Sequence, residues 1–342
     1  MIRLRHKTAA LAAIAWLALA VPGALAFTPD PVDMAAAKRE GSVSWYTSAP
    51  IATAQKIADL FQAKTGIKVE LFRSGGEAVL RRFMEENAAG RVEADVLTTS
   101  DPAAMAKLAA AGTFVPFKPV NFDKIPAEVK DPEGRTIAQR LNVLAIAVLG
   151  DKVPPAARPK TWSDLTKPQY KGMLVMPDPS FTALQLICVA TLSQKLGWGF
   201  YKGLERNDIM IVQSHQQVED MVSRGERPIA AEEADNYADA DRKAGHNIVT
   251  IYPSEGAFAI PAPTAIIKGA AHPNAAKAFA QFMIGDEVQN LFPKKGNYAA
   301  RADIPPPAGN PKLADLKLMP VDYAAIEKDA VKVKEKFAEI FQ

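Results

Sequence analysis

A single cysteine, Cys188, in 342 residues excludes an intramolecular disulfide framework and any zinc site built from several thiolates. Two common hydrolase signatures are also missing: there is no Gly-x-Ser-x-Gly and no His-Glu-x-x-His. No Gly-x-x-x-x-Gly-Lys-[Ser/Thr] phosphate loop appears. Charge of one sign is not in excess, with 41 Lys and Arg against 38 Asp and Glu, a formal net charge of +3. An electrostatic footprint for nucleic acid therefore lacks support. No internal repeat or low-complexity segment is found. What is present is 48% hydrophobic and 23% charged residues, the balance of a globular protein, in a chain long enough for two domains.

The longest apolar stretch lies near the N-terminus, from about Ala9 to Val21, short of the ~20 residues that span a bilayer. It follows the basic start containing Arg3, Arg5 and Lys7 and precedes Ala24-Leu25-Ala26, a small-x-small cleavage pattern. Residues 1–26 are expected to be a cleaved secretory signal peptide, which places the mature chain in the periplasm. Loss of those three cations takes the net charge of +3 to zero, so an anionic membrane surface loses its attraction too. No cysteine follows the apolar run to carry a lipid. Cys188, within Leu184–Ala190, is expected as a small buried thiol.

Strand and helix patterns alternate along the mature chain. Ser42–Tyr46 alternates as a strand, and Ile51, Ala54, Ile57, Ala58 and Phe61 share a helical face that ends near Gly66. Ile67–Phe72 predicts the next strand, Val79, Leu80, Phe83 and Met84 the next helix, and Ala94–Leu97 a short strand. Asp101 before Pro102 and Gly112 after Ala111 bracket a helix with start and stop chemistry. This order predicts a mostly parallel sheet covered by helices. After a proline-rich stretch from Phe114 to Pro132, Leu141–Leu149 is a strand candidate. A second α/β series runs from Lys171 to about Pro253, with strands at Met173–Met176, Ile209–Val212 and Pro228–Ala231 and helices starting at Ser180 and Ser214. Gly256–Ile260 predicts a further strand, Asn274–Met283 a helix, and a charged helix from about Val321 closes the chain.

In open α/β sheets, ligands sit beyond the carboxyl ends of strands. Four strand-to-helix turns carry small hydroxyl or glycine residues: Tyr46-Thr47-Ser48, Arg73-Ser74-Gly75-Gly76, Asp178–Thr182 with Ser180 and Thr182, and Gln213-Ser214-His215. Helix N-termini offer unpaired N–H groups to anions, and Gly75 and Gly76 would admit a ligand close to the backbone. The spacings Ser74–Glu77 and Ser214–Gln217 equally fit capping boxes, in which the serine serves its own helix. His215, in a helical first turn, is expected to face water more readily than a ligand. Trp45, on a strand, is a core candidate.

Several segments together resemble the periplasmic solute-binding proteins of ABC importers, in the branch that includes ferric-iron, thiamine and organophosphate binders. They are Gly41–Ser48, Phe61–Glu70, Ala94–Ser100, Thr161–Gly172, Val218–Glu226 and Pro273–Phe279, in the family's order over nearly the whole mature chain. The resemblance implies an α/β, two-lobed periplasmic binding protein fold of type II. Each lobe is then a mixed, mostly parallel sheet flanked by helices, joined by crossover hinge strands near Leu141–Ala147 and Ala257–Ile260. Lobe 1 would comprise 27–142 and 259–308, and lobe 2 143–258 and 309–342. The implied function is capture of a small-molecule ligand between the lobes and delivery to an inner-membrane permease, by a monomer, with no cofactor and no chemical step.

Ferric-iron binders of this branch use two adjacent tyrosines. Here Ile229–Ala238 has only Tyr237, with Asn236 beside it, which counts against iron, whose ligands are several anionic oxygens. Tyr46, Tyr237, Glu232 and Glu233 could still assemble a site if they converge, which keeps a ferric-iron-binding importer component as the alternative. The preferred ligand is a small organic anion bearing a carboxylate, phosphate or phosphonate. Arg73, whose planar fork suits such groups, would hold it with Ser48, Ser100 and the helix-start residues, while Glu232, Glu233 or Asp235 accept from hydroxyl or amine groups. A sensor subunit that docks on a receptor would use the same fold.

Overall fold

The structure, a computed structural model, describes residues 27–341; the expected signal peptide lies outside the described residues. Lobe 1 begins with α1 (Met34–Glu40), β1 (Ser42–Thr47), α2 (Ile51–Thr65), β2 (Lys68–Arg73), α3 (Gly76–Ala88), β3 (Val96–Thr98), α4 (Pro102–Ala110) and β4 (Phe114–Val115). The long β5 (Ile137–Leu149) leads into β6 (Leu174–Pro177), α5 (Ala183–Leu196), α6 (Trp198–Arg206), β7 (Met210–Val212), α7 (His215–Ser223), β8 (Ile229–Ala234), α8 (Asp235–Lys243) and β9 (Ile248–Ile251). β10 (Phe258–Ile267) returns the chain to lobe 1, where α9 (Pro273–Ile284), α10 (Asp286–Gln289), α11 (Leu291–Lys294) and β11 (Tyr298–Ala299) follow, and α12 (Tyr323–Phe341) closes it.

The main strand path is β2-β1-β3-β10-β5-β8-β6-β7. β2, β1 and β3 run parallel on one side, and β8, β6 and β7 run parallel on the other. Antiparallel β10 and β5 join the two sets. These are the two parallel-strand lobes and the crossovers that the sequence implied, in a type II periplasmic-binding-protein architecture. Asp101 accepts from the Ala104 amide as the N-cap of α4, and Cys188 is a buried free thiol. Trp45 is core: it is fully buried, donates to Thr98 Oγ1 at 2.9 Å and packs edge-on to Phe279.

Two expectations need correction. β10 runs seven residues beyond Ile260, through Pro261 and Pro263. Prolines argue against a central strand, but they are tolerated at irregularities, and the β5–β10 register shifts between Ala262 and Pro263. Ile51 and Met84, assigned to apolar helix faces, are 56% and 54% exposed. Both stand at the edge of a stripe whose centre, Ile57 and Phe61 or Val79 and Phe83, is buried.

Candidate ligand-binding site

The register aligns the strand ends that build the site. Thr47 pairs with both Arg73 and Thr98, so Ser48, Ser74 and Thr99 leave the sheet side by side. On the other side Pro177 pairs with Val212, which brings the turns after β6 and β7 together. A cavity of about 260 Å³ lies between these two groups of turns. Ten predicted residues line it: Ser48, Arg73, Ser74, Gly75, Gly76 and Ser100 from lobe 1, and Ser180, Thr182, Ser214 and Tyr237 from lobe 2.

Three predicted residues do not line it. The Tyr46 hydroxyl donates to Glu86 at 2.9 Å and its ring lies in the lobe 1 core against Val79 and Phe83 of α3. Thr47 is fully buried, with Oγ1 accepting the Ala49 amide. Glu233 stands behind the cavity wall, its Oε1 3.2 Å from His215 Nδ1. The other acids offered for ligand hydroxyls are also engaged elsewhere. Glu232 accepts from Gln185 and from the Tyr201 hydroxyl inside lobe 2, and Asp235 accepts from Thr250, Tyr252 and Asn310. With Tyr46 and Glu232 committed in separate cores, Tyr46, Tyr237, Glu232 and Glu233 do not converge on one site.

The hydroxyls divide by role. Ser214 Oγ caps α7, accepting the Gln217 amide at 3.3 Å. Ser74 is not a cap: the N-cap of α3 is Gly75, without a side-chain bond. Ser48 Oγ accepts the Ser100 amide, and Ser100 Oγ accepts from Asn142; each hydroxyl keeps its proton to donate. Thr182 stands at the N-cap of α5 without a capping bond, so α3 and α5 both present uncapped N-termini to the cavity. Gly75 and Gly76 serve a closer approach than the one expected. A Cβ on Gly75 would stand 2.9 Å from the Phe181 carbonyl oxygen, whereas one on Gly76 would first meet Thr99 Oγ1 of its own lobe at 3.3 Å. The backbone that Gly75 admits is that of the opposite lobe.

Sequence reasoning missed Arg140 and Asn142, which project from the crossover strand β5 into the cavity. Arg140 is 1% exposed, and its Nε and Nη1 have no hydrogen-bond partner among the described residues. Burial, aided by the like charge of Arg73, pulls its pKa down to about 10, which leaves it protonated at neutral pH. His215 was also misplaced. It is 4% exposed and lines the cavity, with Nε2 unpartnered. Tyr237 stays a phenol, since burial pushes its pKa up to about 12 despite Arg73 nearby. Arg81 and Glu77 complete the charged lining, and Glu77 is already paired with Lys334 at 2.7 Å. The lining is thus cationic and rich in donors.

The fold and this inter-lobe cleft define a type II periplasmic binding protein. The chain belongs to the family of bacterial extracellular solute-binding proteins, whose family model matches residues 93–329. A periplasmic binding protein from Actinobacillus pleuropneumoniae, solved with fructose 6-phosphate bound, superposes with a TM-score of 0.78 at 22% identity, over 88% of this chain and 98% of that one. A Fe(3+)-binding periplasmic protein of Serratia marcescens is 26% identical over 298 residues, 81% of this chain and 82% of the relative. A probable ABC transporter periplasmic-binding protein of Sinorhizobium fredii is 27% identical over 168 residues, 46% of each.

Proposed function

We propose that this chain is the periplasmic solute-binding component of an ABC importer, and that it captures a small organic anion bearing a carboxylate, phosphate or phosphonate for delivery to a membrane permease. The observation that carries the ligand class is Arg140, a buried guanidinium with two donors unused and no acid beside it in the cavity lining. A buried unpaired cation is costly, and an anion in the cleft would relieve that cost while meeting the hydroxyls of Ser48 and Ser100 and the N-termini of α3 and α5. The same inventory disfavours ferric iron. That ion needs several anionic oxygens, whereas Arg73, Arg81 and Arg140 line the cavity and its one carboxylate is tied to Lys334.

Lobes that close on this ligand would be divided at the paired hinge positions Val143 and Ala259, consistent with segments 27–142 and 259–308 against 143–258 and 309–342. Closure is a population shift driven by the ligand's better contacts in the closed form; the protein performs no chemical step. The working form is a monomer in the periplasm. Native mass spectrometry of the purified mature protein, compared with its denatured mass, tests the reading. An organic adduct, or one gained on adding candidate anions, is the expected result. An excess equal to one iron, with a charge-transfer colour, would replace it.

A further inference from the structure

His215 opens α7 at the cavity wall, and the two nitrogens of its buried ring meet different surroundings. Nδ1 lies 3.2 Å from Glu233 Oε1, which also accepts the Ala234 amide at 2.7 Å. Nε2 is buried without a partner in a residue that lines the cavity. The ring stacks against Tyr237, centroids 6.0 Å apart and planes 17° from parallel, so its orientation is fixed from α8 as well as from β8. Glu233 Oε2 is unpartnered too, and behind it Glu219 and Asp241 line a small cavity with Glu233. Three carboxyl groups thus stand behind one imidazole, while Arg140 and Arg73 approach from the cavity side.

We propose that His215 donates from Nε2 to the ligand's anionic group, with Glu233 as the residue that positions and charge-balances it, so that capture of the anion is accompanied by uptake of a proton. An anion beside Nε2 favours the imidazolium, which donates from both nitrogens, and histidine is the side chain whose charge changes most readily between pH 5 and 8. Burial raises the pKa of Glu233, offset in part by His215. Glu219 is pushed up to about 8, by burial first and then by Asp241 and Glu233. This inference rests on the anion reading of the cavity and adds that recognition is proton-linked.

The test is calorimetry of the mature protein at pH 7.5 with inorganic phosphate, fructose 6-phosphate and citrate as probes, in buffers of different ionisation enthalpy. Imidazole ¹⁵N spectra are recorded in parallel. The expected result for a probe that binds is a net uptake of a fraction of a proton and movement of the His215 Nε2 signal, with His272, paired to Asp95 away from the cluster, unmoved. Affinity should also weaken as pH rises from about 6 to 8. His215→Gln should abolish the uptake and cost about tenfold in affinity, whereas Glu233→Gln should keep binding but move its pH profile to more acidic values. Tight binding of a probe with no proton uptake and an unmoved Nε2 signal in the unaltered protein would overturn the inference and leave the anion site standing. Failure of every probe to bind would overturn both.

Discussion

Two arginines are buried among the described residues, and their surroundings are opposite. Arg301, 4% exposed, donates from Nε and Nη2 to Asp303 and from Nη1 to Asp286 and the Ile284 carbonyl. Its pKa is raised, the bond to Asp303 being the leading cause. Arg140, 1% exposed on β5, has two donors unused and a pKa lowered by burial. The first completes a structural corner where α9 ends. The second holds charge where the two lobes face each other. Burial alone therefore does not leave a cation free to meet a ligand; burial without partners, in a wall shared by two lobes, sets Arg140 apart.

Substitutions can break this comparison from either side. The largest effect is expected for Arg140→Met: affinity for the bound anion should fall at least ~100-fold, with the melting temperature of the empty protein unchanged or raised, because an unpaired buried charge is removed. A lower melting temperature with unchanged affinity would make Arg140 structural. Arg301→Ala should do the reverse, lowering stability by about 2 kcal/mol through the loss of charged hydrogen bonds while affinity stays within twofold; denaturant titration and calorimetry read the two. Ser214→Ala should cost about 1 kcal/mol by removing the α7 cap, whereas Ser74→Ala, which removes no cap, should leave unfolding unmoved. Equal losses from the two serines would contradict the division of roles.

The strand-to-helix turns were legible because position in an α/β sheet and residue type agree there: Ser48, Ser74 and Ser214 each follow a strand whose end faces the cleft. Arg140 and Asn142 were not, because they flank Leu141 in the buried crossover strand β5, where an apolar pattern draws attention away from its polar interruptions. The visible signal was Gln139-Arg140-Leu141-Asn142 itself, three long polar side chains entering a strand buried along its whole length. A helical first turn is usually exposed, so the sequence pattern predicts a His215 facing water; tertiary packing of α7 against β8 and Glu233 buries it instead. Tyr46 failed for a simpler reason: it lies inside β1, before the strand end that reaches the cleft, so its ring packs in the lobe 1 core. The prolines of β10 hid half of a crossover.

The most direct measurement is a crystal structure of the mature protein saturated with the anion found by native mass spectrometry. The account predicts a ligand oxygen within about 3 Å of Arg140 Nε or Nη1, held also by the hydroxyls of Ser48 or Ser100. A ligand or metal bound in the cleft with the Arg140 guanidinium still unpartnered would contradict it.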